Sequence, residues 1–126
     1  DTGHKLHPKP GSEDFPRYLE WVHSPEGSVF LPGLFGFYLM NADLLDHQLA
    51  SVMAAEAAKA ANHIEAHLAK HTYFAGNSFS AADCLMGFQL MSTDARSGLD
   101  DKPASKAWLE KVQARPAFQR MLAVGI

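Results

Sequence analysis

A single cysteine, Cys84, stands among the 126 residues, so no disulfide can close within the chain and no cysteine-rich zinc site can be built. A reducing, cytoplasmic setting is expected from that scarcity. Long apolar runs are also missing. The longest, Val29 to Met40, is interrupted by Pro32 and Gly33 and falls short of the roughly 18 to 20 residues that cross a bilayer, so no membrane is expected as a partner. No block of basic residues occurs, and 11 Lys and Arg against 14 Asp and Glu leave a formal charge of −3, which argues against nucleic acid. The segment Asp1 to Leu6 has neither an initiating Met nor a basic-then-apolar signal pattern, and the chain reads as a piece of something longer. No stretch alternates polar and apolar residues over strand length, and no nucleophile elbow, phosphate loop or nucleotide fingerprint is found.

What is present is helical. With 47% hydrophobic and 20% charged residues the chain can bury one core, and its length leaves no room for two. Residues 1–11, with Gly3, Pro8, Pro10 and Gly11, read as a linker. Ser12 is the expected cap of a first helix carrying Phe15, Tyr18, Leu19 and Val22, which Pro25 and Gly27 break or kink. A second helical stretch is expected from Ser28 to about Asp46, kinked at Pro32, and a third from about Asp46 to His71. In the third, Leu49, Met53, Ala57, Ala60, Ile64 and Leu68 form a packing seam. A turn is expected over 73–78, with Gly76 and Asn77 the residues that tolerate positive φ. Ser80-Ala-Ala-Asp83 reads as a capping box, with Phe79 and Cys84 as its hydrophobic staple, and the helix after it is apolar almost all round. Pro103 and Pro116 open two short closing helices. The expected domain, 12–126, is all-α: about five or six helices around one central buried helix.

Chemistry is sparse. His63, His67 and His71 share a helix face, but Glu65 lies about 200° from His63 and faces away from the rings, so the zinc-protease order is absent. A solvated polar edge is the better reading of that row than a metal site, and no metal is expected. Cys84 suits a buried staple position better than a reactive thiol. Among Phe30, Phe35, Phe37 and Tyr38, one or two are candidates for lining an apolar pocket, because the neighbouring glycines leave one side of the helix bare.

Three segments carry a resemblance. Phe74-Ala-Gly-Asn-Ser-Phe-Ser-Ala-Ala-Asp83 resembles the segment of cytosolic glutathione transferases in which an aromatic-x-Gly-Asp/Asn turn leads into Ser/Thr-x-Ala-Asp. Pro103 to Trp108 and Ala114 to Phe118 resemble that family's closing helices. Trp21-Val-His23-Ser-Pro-Glu26-Gly27-Ser28, followed by Pro32, resembles the Trp-x-His…Glu-Gly-Ser stretch of a fungal and bacterial branch.

The resemblance implies the C-terminal all-α domain of such an enzyme, following a thioredoxin-like domain whose end and linker are residues 1–11. No catalytic residue carries over, because the family's thiol-activating group and most of its glutathione site belong to the thioredoxin-like half. It implies glutathione as co-substrate, a homodimer, and a small hydrophobic electrophile as substrate, with conjugation or the reduction of small peroxides and disulfides as the parent's activity. By position, His23, Glu26 and Ser28 are candidates for glutathione contact across the dimer, and Phe30, Leu34 and Tyr38 for the substrate wall. Ser80 and Asp83 are assigned to folding. The alternative is a non-catalytic module of the kind that serves in translation elongation factor gamma subunits and synthetase complexes.

Overall fold

A computed structural model describes residues 3 and 5–125. Its elements are α1 (Asp14–Ser24), a π-helical turn (Pro25–Val29), α2 (Phe30–Asn41), α3 (Gln48–Leu68), α4 (Ala81–Ser97), α5 (Pro103–Gln113) and α6 (Pro116–Val124). No strand occurs among the described residues, and no helix there is long and apolar enough to cross a membrane. The all-α expectation holds.

The first boundary differs from expectation. Helix α1 starts at Asp14 with no side-chain cap; Ser12 gives its carbonyl to the Phe15 amide at 3.2 Å, and its hydroxyl is buried with no partner among the described residues. At Pro25, where a break or kink is expected, the helix widens into one π-helical turn and continues. Pro25 has no N–H to donate, and the ladder resumes with the Phe30 amide donating to the Pro25 carbonyl five residues back. Helices α1 and α2 therefore run on through the widened turn as one long rod. It stops at Asn41, short of Asp46, and Asp43 turns the chain with φ 55°. The third helix then begins at Gln48, where His47 Nδ1 accepts from the Leu49 amide at 3.1 Å.

Helix α4 sits at the centre, packed by α1, α5 and the π-helical turn. The core gathers Trp21, Ile64, Leu68, Phe74, Met86, Leu90, Trp108, Leu109 and Val112 around it. The helix is not buried all round, however: Leu85 and Phe88 are 45% and 48% exposed. Cys84, expected inside, lies exposed on the same side. Apolar character alone sets burial only where a neighbour arrives to cover the face.

In the turn before α4, Gly76 adopts φ 141° and Asn77 stays in the ordinary region. A Cβ at Gly76 would stand 2.8 Å from an Asp14 carboxylate oxygen, so both the backbone conformation and the space demand glycine. Pro103 and Pro116 occupy first-turn positions as expected.

Candidate functional site

Two carboxylates, Asp83 buried and Glu65 half-buried, hold the scaffold on which the candidate surface stands. The Ser80 capping box closes, and Asp83 Oδ2 accepts from the Ser80 amide at 2.9 Å and its hydroxyl at 3.1 Å. Oδ1 accepts from the Phe74 amide at 3.0 Å and from Trp108 Nε1 at 3.2 Å. Burial pushes this carboxyl above its ordinary value, and the four donors pull it back only in part. Its lone pairs are consumed by the protein, which fits the structural assignment of Ser80 and Asp83.

The second carboxylate was not legible as a cap. Glu65 reaches from α3 to the start of α5, accepting from the Ala104 and Ser105 amides at 2.9 Å each and from the Ser105 hydroxyl at 2.7 Å. Burial alone raises the Glu65 carboxyl, but the donors from Ala104 and Ser105 outweigh it and hold the group below its ordinary value. Helical spacing does set Glu65 away from the histidine row, without showing what it meets.

That row is an aromatic stack. His63 lies on Trp21 with ring centres 5.0 Å apart and donates through Nε2 to Glu20 at 2.9 Å. His67 sits between Trp21, Phe74 and His71 at 4.7, 5.8 and 4.6 Å. Its Nε2–H donates to the Phe74 carbonyl at 3.0 Å, which leaves Nδ1 without a proton. Burial first, and then His71, lower the His67 pKa to about 4. His67 is thus a half-buried neutral ring rather than part of a solvated edge. No group of three metal-binding side chains comes together among the described residues.

The π-helical turn is the polar candidate. Glu26, Gly27 and Ser28 are exposed on it, and His23 is exposed in the last turn of α1. Ser28 Oγ reaches the Ser24 carbonyl only at 3.5 Å, while His23 and Glu26 make no side-chain hydrogen bond or ion pair among the described residues. Trp21, Ser28 and His63 border a cleft of about 220 Å³ beside the turn. The Trp21 indole N–H is buried there with no acceptor among the described residues.

Phe30, Leu34 and Tyr38 follow on α2, four residues apart, along one side of the helix. Phe30 and Leu34 are half-buried and Tyr38 is 57% exposed, so the row is an open ridge within this chain. Around it Phe35, Phe37, Leu44, Leu45 and Val52 are exposed as well. The composition of 29–40 signalled the first two of these; Leu44, Leu45 and Val52 gave no signal, because their exposure follows from how the α2–α3 connection turns.

A groove of about 360 Å³ runs between α4 and α6, with Leu6, Cys84, Phe88, Met91 and Phe118 in its walls. The leading segment is pinned at its edge, where the Ala81 amide donates to the Leu6 carbonyl at 2.7 Å. Arg115 lies over the Phe79 ring at 3.6 Å from its centre. Burial and the adjoining Asp83 charge push the Cys84 thiol up, so it stays protonated at neutral pH.

Comparison with known proteins identifies the fold. Residues 35–116 match the model of the glutathione S-transferase C-terminal domain, and the chain belongs to that family. Glutathione S-transferase 3 of Zea mays is 39% identical over 74 residues, which are 56% of this chain and 33% of the maize protein. Glutathione S-transferase 3 of Schizosaccharomyces pombe is 27% identical over 86% of this chain and 52% of its own. The chain thus spans from a third to about half of these relatives. A glutathione S-transferase structure from Actinobacillus pleuropneumoniae superposes with a TM-score of 0.83 over 95% of this chain and 54% of that one; at 23% identity it shows the fold alone.

Proposed function

We propose that this chain is the substrate-binding and dimer-forming half of a cytoplasmic glutathione transferase that joins glutathione to small hydrophobic electrophiles. The observation that carries the reading is the succession along one rod: a polar turn whose Glu26 has no side-chain partner among the described residues, then a partly exposed apolar ridge. Glutathione offers an ammonium, two carboxylates and two amides, and its co-substrate is apolar. The Glu26 carboxylate suits the ammonium, the weakly engaged Ser28 hydroxyl suits a carboxylate, and His23 suits an amide. Phe30, Leu34 and Tyr38 suit the apolar body of the electrophile.

In this reading a thioredoxin-like domain activates the thiol, and its thiolate attacks the electrophilic carbon as the leaving group departs with the bonding pair. The helical chain holds the electrophile near that sulfur and, across a homodimer, completes the partner's glutathione site. The exposed α2–α3 surface suits the dimer contact. The groove beside Leu6 suits the thioredoxin-like domain, because the leading segment that would join the two runs along it.

The test is a conjugation assay on the full-length enzyme with an aryl halide. Glu26→Gln and Ser28→Ala are expected to raise KM for glutathione several-fold with the electrophile KM little changed, and Tyr38→Asp the reverse. Failure of the parent to bind glutathione, together with co-purification with translation components, would replace the enzyme by the assembly module.

A further inference from the structure

Between the turn at Gly76 and the start of α4 lie two residues that the fold leaves unheld. On one side the turn is closed by the Tyr73 amide, which donates to the Gly76 carbonyl at 2.8 Å, and by the Gly76 amide, which donates back at 3.1 Å. On the other, Asp83 takes the Ser80 amide at 2.9 Å, and its second oxygen takes the Phe74 amide at 3.0 Å. One carboxylate thus clamps both ends of the segment. Phe79 within it is half-buried, with Arg115 over its ring. Asn77 and Ser78 are exposed, and neither their backbone groups nor their side chains make a hydrogen bond among the described residues.

Asparagine is a thermally labile residue. Its side-chain amide carbon can be attacked by the backbone nitrogen of the next residue where both groups are free. The chain has three asparagines, Asn41, Asn62 and Asn77, and the structure treats them differently. Asn41 Nδ2 donates to the Phe37 carbonyl at 2.8 Å, and the amide that follows, that of Ala42, donates to the Tyr38 carbonyl at 3.0 Å. Asn62 lies inside α3, so the His63 amide is committed to the helical ladder. Of the three, Asn77 alone has a free side chain followed by a free amide, and the small Ser78 side chain leaves that nitrogen open.

We propose that Asn77 is a site of spontaneous deamidation directed by the fold, and that its isoaspartyl product loosens the start of α4. The Ser78 nitrogen bonds to Asn77 Cγ and the Cγ–Nδ2 bond breaks; the departing nitrogen takes the proton that Ser78 gives up and leaves as ammonia. The cyclic imide then takes up one water, the sole co-reactant. Opening at the Cγ–N bond gives aspartate; opening at the main-chain carbonyl gives isoaspartate, whose backbone runs through the former side chain. Both products add a negative charge to the formal −3. Aspartate keeps the length of the backbone, whereas isoaspartate inserts a methylene into a segment whose two ends Asp83 fixes, so the capping bonds must lengthen or open. The site is separate from the π-helical turn and from the Tyr38 ridge, and it stands whether or not the transferase reading does.

The test is incubation of the folded 126-residue chain in mildly alkaline oxygen-18 water, beside the same chain unfolded in guanidinium, until all three asparagines of the unfolded sample carry label. Each hydrolysed imide takes a heavy oxygen into its new carboxyl, and peptide mapping locates it. In the folded chain, label is expected at Asn77 while Asn41 and Asn62 stay unlabelled. The rate should rise with pH, because the attacking nitrogen must give up its proton. A carboxyl methyltransferase specific for isoaspartate should methylate the aged chain, and Asn77→Gln, which would have to close a larger ring, should stay unmethylated. The isoaspartyl fraction is expected to melt several degrees below the Asn77→Asp variant. Protection of Asn77 in the folded chain, labelling of Asn41 or Asn62 there at an equal rate, a product free of isoaspartate, or an isoaspartyl fraction that melts with Asn77→Asp would overturn the proposal.

Discussion

Trp108 donates its indole N–H to Asp83 at 3.2 Å, and this one bond ties α5 to the capping box that starts α4. Cap and core thereby become a single unit, since the other oxygen of Asp83 holds Ser80 while Trp108 fills the centre of the domain. Replacing Asp83 by Ala leaves the Phe74, Ser80 and Trp108 donors buried without an acceptor. A loss of about 3 kcal/mol or more is expected, above the roughly 0.5 to 2 kcal/mol of an isolated cap. Trp108→Phe removes one donor and should cost about 1 to 2 kcal/mol, including the smaller ring. Urea unfolding of the two variants checks the ranking, and equal losses would overturn it; additive losses in the double variant would show that the capping box and Trp108 act independently.

The neutral ring of His67 predicts acid sensitivity. Its pKa falls from the ordinary 6.5 to about 4 on folding, so between those values the unfolded chain binds a proton that the folded chain refuses. Stability must drop as pH falls through that window and level off for this group below it. Asp83 works in the opposite sense just above its ordinary value of 3.8, because its raised pKa gives the folded chain the extra proton there. The difference between the parent and His67→Phe isolates the histidine: the parent should lose more stability than the variant from about pH 7 to about pH 4.5. Parallel curves would refute the assignment.

Glu65 should behave as a cap set in place by another helix. Glu65→Ala is expected to cost about 0.5 to 2 kcal/mol, and Glu65→Gln less, because the amide oxygen still accepts one bond. Its lowered pKa means that its contribution is full above its ordinary value of 4.5 and is lost as pH falls through the lower folded value. Hydrogen exchange of the Ala104 and Ser105 amides reads this directly, and unchanged protection in Glu65→Ala would rule the cap out.

Gly76→Ala combines a φ of 141° with a methyl group 2.8 Å from Asp14. The Asp14 carboxylate also receives Arg17 at 2.6 Å, so it cannot retreat without loosening that pair. A destabilisation of about 1 to 3 kcal/mol is expected, seen as a lower thermal midpoint. Asp14→Ala should recover part of it in the double variant, and full additivity would show that strain in the backbone alone is responsible.

Features with short-range causes are legible in the residues themselves. Pro103 and Pro116 open helices because proline lacks the N–H that a first turn has no use for, and Ser80 with Asp83 starts α4 because the two partners are three residues apart. The polar turn at Glu26 to Ser28 and the ridge from Phe30 to Tyr38 are visible as residue types in order. What closes around them is not. The irregularity at Pro25 has a local cause, the missing N–H, while α3 and α4 both pack against the widened turn that results.

Sequence was enough for an all-α domain, most of its helix starts and the capping box, because each rests on bonds between residues a few positions apart. Only the packing of the helices settled that Asp83 meets Trp108, that Glu65 caps a helix 39 residues further along, and that Cys84 and Phe88 face outward. Those outcomes depend on which helix arrives opposite which face, and the free energy of burial that selects the arrangement is shared across the whole chain.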